Sequence, residues 1–151
     1  MTQINNFKVM LASMLIGSIL LSGCSANPAA GGVNQGKLAD CPSSPNCVSG
    51  EASDDGHRIA PLQFTGTPDE AKAKLLSVIE SYPRSHIVVN DENYLHVEFT
   101  TKLMRFVDDG EFLIEEQAIQ LRSKSRVGYG DLGKNRSRME EIREAFEPCC
   151  E

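Results

Sequence analysis

The sequence has little of what many catalytic and metal-binding sites require. It contains no tryptophan and three histidines, none of them near a cysteine in a spacing typical of zinc sites. No segment matches a phosphate-binding loop or a dinucleotide-binding glycine motif. No Ser-His-Asp or Cys-His spacing stands out, although a triad cannot be recognised from residue order alone. The sequence therefore predicts no metal site and no cofactor.

Long apolar runs are also missing. The longest covers residues 9–21 and is interrupted only by Ser13, Gly17 and Ser18. Thirteen residues are too few to cross a bilayer core, which needs about 20 residues of helix. Lys8 precedes the run and small residues end it, which is the arrangement of an export signal.

The end of this run predicts a lipid anchor. Leu21-Ser22-Gly23-Cys24 is typical of bacterial lipoproteins, in which the cysteine is acylated, with palmitate among the chains, and becomes the new N-terminus. More than one acyl chain on Cys24 gives stable membrane attachment. Similarity to enterobacterial lipoproteins, with Ser25 after the cysteine, implies the outer membrane, facing the periplasm of a Gram-negative cell. The alternative is a short buried helix that begins a soluble domain.

The charge balance limits the partners. The chain has 15 basic and 21 acidic residues, a net charge of −6, which disfavours nonspecific nucleic-acid binding. The expected partners are a membrane, through the N-terminal lipid, and either an anionic small molecule or an envelope protein. No nucleic acid is expected.

Composition divides the chain into four parts. Residues 1–23 form the predicted signal peptide, and residues 24–39, rich in glycine, alanine and asparagine, form a flexible tether. Residues 40–147 have the length of one globular domain. Residues 148–151 form a short tail.

Four cysteines remain after Cys24. An exported protein meets an oxidising compartment, and Cys41, Cys47, Cys149 and Cys150 allow three pairings. We favour Cys41–Cys47, because the prolines between them already restrict that loop. The alternatives are a metal site formed by all four, a disulfide between the two terminal cysteines, or a free terminal pair.

The periodicity of apolar residues predicts an α+β domain. Thr67-Pro68-Asp69-Glu70 has the composition of a helix start, and Tyr82-Pro83 ends that helix. Alternation of apolar and polar residues then predicts strands, which a final helix over residues 134–146 follows. Consecutive strands between two helices favour an antiparallel sheet of about four to five strands packed with two helices, in the order αβββ(β)α. The predicted strands cover residues 58–64, 85–89, 94–101, 111–114 and 118–127.

Three blocks resemble the domain-of-unknown-function 1499 family. They cover residues 41–49, residues 106–109 and the long segment at residues 122–138, in the order that the family shows. The resemblance implies a small domain, often exported or lipidated, with no settled activity. The chain departs from the family pattern at Gly110, where an aliphatic residue is usual, and at Lys124, where a small one is usual. Gly110 is expected to loosen a turn after the preceding acidic pair.

The third block is the candidate site. Residues 122–143 contain seven basic and three acidic residues, within an acidic chain. Glycines in this block permit a tight loop that leads into a helix, and backbone amides at a helix start combine with arginines to bind phosphate or carboxylate. The predicted anion site consists of Arg122, Arg126, Tyr129, Asn135, Arg136 and Arg138.

Two other interpretations stay open. In the first, the block is structural: Asp108 and Asp109 pair with Arg122 and Arg126, and Asp131 caps the last helix. In the second, the acidic pair and the arginine-rich loop serve an envelope hydrolase or transferase. Adjacent strand residues point to opposite faces, which weakens that second reading. A non-catalytic binding or scaffold domain is therefore the preferred function.

Overall fold

A computed structural model describes residues 31–147 of the chain. The predicted signal peptide, the predicted lipidation site Cys24 and the terminal Cys149 and Cys150 lie outside these residues. Eight strands and two helices follow one another in this order: β1 (Val33–Asn34), β2 (Lys37–Leu38), β3 (Cys47–Ser49), β4 (Leu62–Gln63), α1 (Pro68–Ser81), β5 (Ser85–Asn90), β6 (Tyr94–Thr100), β7 (Val107–Ile114), β8 (Ala118–Ser125) and α2 (Lys134–Phe146).

The main sheet has six strands and is antiparallel. Its order is β3-β8-β7-β6-β5, and β4 pairs with β8 beside β3. The predicted α+β class is therefore correct, but the sheet has more strands than expected and a separate pair, β1 and β2, lies outside it. The missed strand β3 is three residues long, too short to show an alternating pattern.

Both helices pack on one face of the sheet. Helix α1 begins where the sequence predicted; Thr67 and Glu70 form a reciprocal capping box there, and Pro68 occupies the first turn. Helix α2 has the predicted bounds and no capping box. The two helices and the inner sheet face bury one continuous core, whose largest members include Leu75, Ile79, Leu95, Phe99, Phe112, Leu121, Met139, Ile142 and Phe146.

Strand β7 begins earlier than predicted. It includes Asp108, Asp109 and Gly110, so the expected turn after the acidic pair is absent. A Cβ atom at Gly110 would lie 2.5 Å from Cε2 of Phe99. The glycine therefore makes room for an aromatic ring on the neighbouring strand β6, and it does not loosen a turn.

The described part of the predicted tether is folded. The hairpin β1–β2 lies within residues 31–39, and the amide of Leu38 donates to Glu51 Oε2 at 2.7 Å. Leu38 itself is buried. The predicted tether over residues 24–39 therefore includes a short hairpin and a buried leucine within its described part.

A disulfide joins Cys41 to Cys47. Asn46, just before the second cysteine, donates to the carbonyl of Gly128 at 2.6 Å and accepts at its own carbonyl from Asn135 Nδ2 at 3.0 Å. The disulfide loop thus supports both the β8–α2 connection and the start of α2.

Candidate functional site

The outer face of the sheet carries a buried ion network. Arg126 donates from Nε and Nη2 to the two carboxylate oxygens of Asp109 at 2.8 and 2.7 Å, and from Nη2 to Glu98 at 2.5 Å. His96 Nε2 lies 2.7 Å from Oδ1 of Asp109, which is fully buried. These hydrogen bonds, chiefly those with Asp109, raise the pKa of Arg126 above its ordinary value.

A second pair continues this network along β7. Glu111 is fully buried and lies opposite Arg122 on β8, whose Nη1 donates to it at 2.5 Å. The Tyr94 hydroxyl donates to Oε1 of the same carboxylate at 2.7 Å, and the amides of Gly31 and Gly32 donate at 3.2 and 2.7 Å. Burial, and then the bond to Glu111, raise the pKa of Tyr94 above its ordinary value. The N-terminal segment therefore covers this carboxylate.

A different set of polar groups lies between the sheet and α2. Arg138 Nη2 donates to Asp108 Oδ2 at 2.5 Å, and its guanidinium carbon lies 4.9 Å from the centre of the Phe99 ring. Asn135 donates to Ser125 Oγ at 2.9 Å and accepts from Ser123 Oγ at 2.6 Å. The inner face thus holds a buried polar cluster at the end of the apolar core.

The six residues of the predicted anion site do not meet at one place. Arg122 and Arg126 lie on the outer face of the sheet. Asn135 and Arg138 belong to α2 and contact the inner face. Arg136 donates to the carbonyls of Gly56 and Arg58 at 3.0 and 2.7 Å, away from both groups. Tyr129 is 77% exposed at the tip of the β8–α2 loop. One anion cannot contact all six.

The start of α2 is occupied by the chain itself. Asp131 accepts from the amides of Gly133 and Asn135 at 3.0 and 2.8 Å. This is the capping role that the structural interpretation gave to Asp131, and it uses amides that an anion would need. Asp108 and Asp109 also follow that interpretation in part: Asp109 pairs with Arg126, whereas Asp108 pairs with Arg138.

A groove of about 830 Å³ opens at the end of the sheet where β6 ends and β7 begins. Its floor includes Phe99 and the Asp108–Arg138 pair. The β6–β7 loop, residues 101–106, forms one wall, and the β8–α2 loop, residues 127–132, forms the other. We call these two loops together the tip loops. Side chains from α2, among them Ser137, and the segment after α1 complete it.

The tip loops expose unusually apolar side chains. Leu132 is 99% exposed, Leu103 87% and Met104 68%. Phe106 and Val127 are about half exposed and also line the groove. Eight large apolar or aromatic side chains are exposed among residues 31–147, and six of them, Tyr129 included, belong to these two loops. Such a cluster marks a binding surface more often than a solvated loop.

Comparison with known proteins identifies the family. A sequence model described as a protein of unknown function, DUF1499, matches residues 37–146, from the first residue of β2 to the last of α2. The chain belongs to the DUF1499 family. No curated protein and no solved structure matches it. The matched residues begin before the predicted domain boundary at residue 40, in agreement with the folded β2.

Basic side chains surround the groove of this DUF1499 domain. Arg84, Lys102 and Lys134 line it and are exposed, and within residues 31–147 none has a carboxylate within 4.0 Å. Of the acidic groups in the lining, Asp131 is engaged by the α2 amides and Glu141 by Tyr82 and Ser137. The lining therefore carries one more basic than acidic side chain, and three of its basic side chains form no ion pair within residues 31–147.

Tyr82 closes one end of the groove. Its hydroxyl donates to Glu141 Oε2 at 2.7 Å, and its ring packs edge-on against Phe99 with ring centres 5.5 Å apart. Burial, and then the bond to Glu141, raise the pKa of Tyr82 to about 12. Tyr82 is therefore a neutral hydrogen-bond donor near neutral pH.

Two negative findings concern residues 31–147. No cluster of three or more histidine, cysteine or acidic side chains is arranged there to hold a metal ion. No helix in that range is long and apolar enough to span a bilayer.

The DUF1499 groove was not predicted from the sequence. Its walls come from two loops more than twenty positions apart, and only the folded sheet brings them together. One signal was present: Leu103-Met104 lies between Lys102 and Arg105 in a segment with no helical or alternating pattern. A loop with two adjacent large apolar residues is unusual, because solvent-exposed loops are normally polar.

Proposed function

We propose that this protein is a lipid-anchored, non-catalytic binding protein of the bacterial cell envelope. The ligand site is the groove between the tip loops, and the ligand is an amphiphile with an apolar chain and an anionic head group. The observation that carries this proposal is the groove itself, whose walls expose leucine, methionine and phenylalanine next to basic side chains that have no carboxylate partner within residues 31–147.

The apolar walls favour a hydrocarbon chain. Ligand pockets of about 300 to 1,000 Å³ hold molecules of drug or fatty-acid size. A ligand that covers Leu103, Met104 and Phe106 would remove most of their apolar area from water. Full burial of one such side chain contributes roughly 1.5–3 kcal/mol of favourable free energy. Part of that gain is offset by the cost of ordering the ligand.

The charges favour an anionic head group. Arg84, Lys102 and Lys134 are exposed, line the groove and lack carboxylate partners within residues 31–147. The deeper guanidinium of Arg138 is already engaged by Asp108. The head group would therefore lie at the rim, with the apolar chain directed toward Phe99.

The alternative as a hydrolase or transferase has less support. Asp108 and Asp109 point to opposite faces of β7, and each is buried in an ion pair. Acid–base catalysis by this pair would require both carboxylates to reach one substrate. The arginines of the third block are likewise engaged in structural contacts.

A blocking substitution tests the groove. The protein is the chain without residues 1–23 and with Cys24→Ser, which retains every residue of the described fold, and the probe is a dansylated fatty acid titrated by fluorescence. Ser137→Trp places an indole in the groove from an exposed helix position and should weaken binding at least about tenfold. Glu144→Trp is the matched control, since it is exposed on the same helix and does not line the groove.

Equal affinities for the Ser137→Trp variant and its parent, with identical circular dichroism spectra, would rule the groove out as the ligand site. The anchor is tested separately in the full chain. Radiolabelled palmitate should enter the wild type and the Cys149→Ser variant but not Cys24→Ser.

A further inference from the structure

The tip loops present apolar side chains and positive charge to the same side of the molecule. Leu103 and Leu132, the two most exposed of these apolar side chains, lie on opposite walls of the groove. Lys102 and Arg105 flank the first apolar pair, and Lys134 follows the second loop. Both loops are thus amphipathic at their tips, although neither is a helix.

Two tip residues are held in an uncommon backbone conformation. Arg105 has φ of 56° and Leu132 has φ of 55°, in the left-handed region that non-glycine residues rarely adopt. The Leu132 side chain projects fully into solvent from this conformation. A large apolar side chain in that setting gains nothing from the fold, so its role lies in contact with another surface.

We infer that the tip loops dock on the surface of an anionic bilayer, so that the groove opens against the lipid. Apolar tips enter the interface between head groups and acyl chains, and neighbouring Lys and Arg side chains contact anionic head groups. Tyr129 adds an amphipathic ring of the type enriched at such interfaces. The exposed apolar side chains favour a bilayer over an acidic protein, because Leu132 and Leu103, which are 99% and 87% exposed, require an apolar phase as well as negative charge.

This inference deepens the proposed function and rests on it for the source of the amphiphile and for the anchor. Gly31 is fixed to Glu111 on the sheet, and the seven residues from Cys24 to Gly31 span at most about 25 Å. An acylated Cys24 would therefore keep the domain within that distance of the bilayer. The effective concentration of membrane surface at the tip loops is then high, so that a modest affinity of the loops for the bilayer is enough for docking.

The absence of tryptophan provides a direct test. Leu132→Trp gives a single reporter at a tip, and Glu144→Trp gives a single reporter on α2 that does not line the groove. Both are placed in the chain without residues 1–23 and with Cys24→Ser, so that no lipid anchors the protein. With vesicles rich in phosphatidylglycerol, the Leu132→Trp emission should shift to the blue and be quenched by brominated acyl chains, while that of Glu144→Trp should not change.

A second pair of variants separates the contribution of the tip loops to vesicle binding from the contribution of the groove to fatty acid binding. Arg105 and Tyr129 are exposed but do not line the groove. Arg105→Gln should lower the vesicle partition coefficient roughly fivefold, and Tyr129→Ser should lower it further, with the dansylated fatty acid titration unchanged. Ser137→Trp should do the opposite, weakening the fatty acid titration and leaving vesicle binding intact.

Each result is decisive for one statement. Unshifted Leu132→Trp emission on phosphatidylglycerol vesicles, in a folded protein, overturns membrane docking and favours a protein partner for the tips. Equal partitioning onto neutral phosphatidylcholine vesicles also overturns it, since the basic residues would then contribute nothing. Vesicle binding without fatty acid binding retains docking and removes the groove ligand.

Discussion

Arg138 and Asp108 are joined by an ion pair between α2 and the start of β7, with 2.5 Å between Nη2 and Oδ2. Both side chains are buried, and Arg138 also donates to Asn135 at 2.9 Å and lies over the Phe99 ring. The pair therefore forms the polar floor of the groove and fixes the helix to the sheet at that end.

Breaking this pair should be costly. Arg138→Met leaves the Asp108 carboxylate buried without its partner, and we expect a loss of about 3–5 kcal/mol in the free energy of unfolding. Replacing both residues, as in Asp108→Asn with Arg138→Met, should cost clearly less than the sum of the two single changes. Urea unfolding of the four proteins measures the coupling, and strictly additive losses would show that the two groups do not interact.

Elements with a regular apolar pattern were predictable from the sequence. The bounds of α2 and the alternation along β6 agree with the structure, because each of these elements buries one face against the core. The first half of β7 was not predictable. It contains two aspartates and a glycine, residues that disfavour strands, and it is stabilised by Arg126 and Arg138 from distant parts of the chain.

Gly110 should not tolerate a side chain while Phe99 is present. A Cβ atom there meets the Phe99 ring at 2.5 and 3.3 Å and the Met139 methyl group at 3.5 Å. We expect Gly110→Val to destabilise the domain by about 1–3 kcal/mol through overpacking. Phe99→Leu should partly rescue it, because the smaller side chain frees the space that the valine needs.

Thermal or urea unfolding of both single variants and the double variant tests this exchange. The exchange is expected because Phe99, on the neighbouring strand, occupies the volume that a side chain at position 110 would need. A double variant less stable than Gly110→Val alone would contradict the account.

The Cys41–Cys47 disulfide should stabilise both the domain and the groove. Closing a loop of this length contributes about 2–2.5 kcal/mol by restricting the unfolded chain. Cys41→Ala with Cys47→Ala should lose that amount in urea unfolding. Because Asn46 in the loop holds Gly128 and Asn135, hydrogen exchange should also become faster in the β8–α2 loop. Unchanged exchange there would show that the loop is positioned without the disulfide.

The contacts of the arginine-rich block were not predictable, for a related reason. The sequence shows the block at residues 122–138 but does not show which carboxylate each arginine meets. Arg122 finds Glu111 directly across the β7–β8 ladder, and Arg126 reaches Asp109 diagonally on the same face. These pairings follow from strand register, which in turn depends on where β7 begins.

Alkaline pH should weaken the fold through Tyr82. Its pKa is raised from 10.0 to about 12 by burial and by the bond to Glu141, so the folded protein keeps the phenol proton more tightly than the unfolded chain does. This contribution is fully present below pH 10.0 and is lost as the pH rises toward 12, because the unfolded chain ionises first. Tyr82→Phe should therefore show a smaller loss of unfolding free energy over this interval than the parent.

Tyr129→Phe is the matched control, since the exposed Tyr129 has no bonded partner in the described fold, and its pH profile should follow the parent. Parallel profiles for Tyr82→Phe and the parent would contradict the role of Tyr82 as a half-buried, hydrogen-bonded donor at the end of the groove.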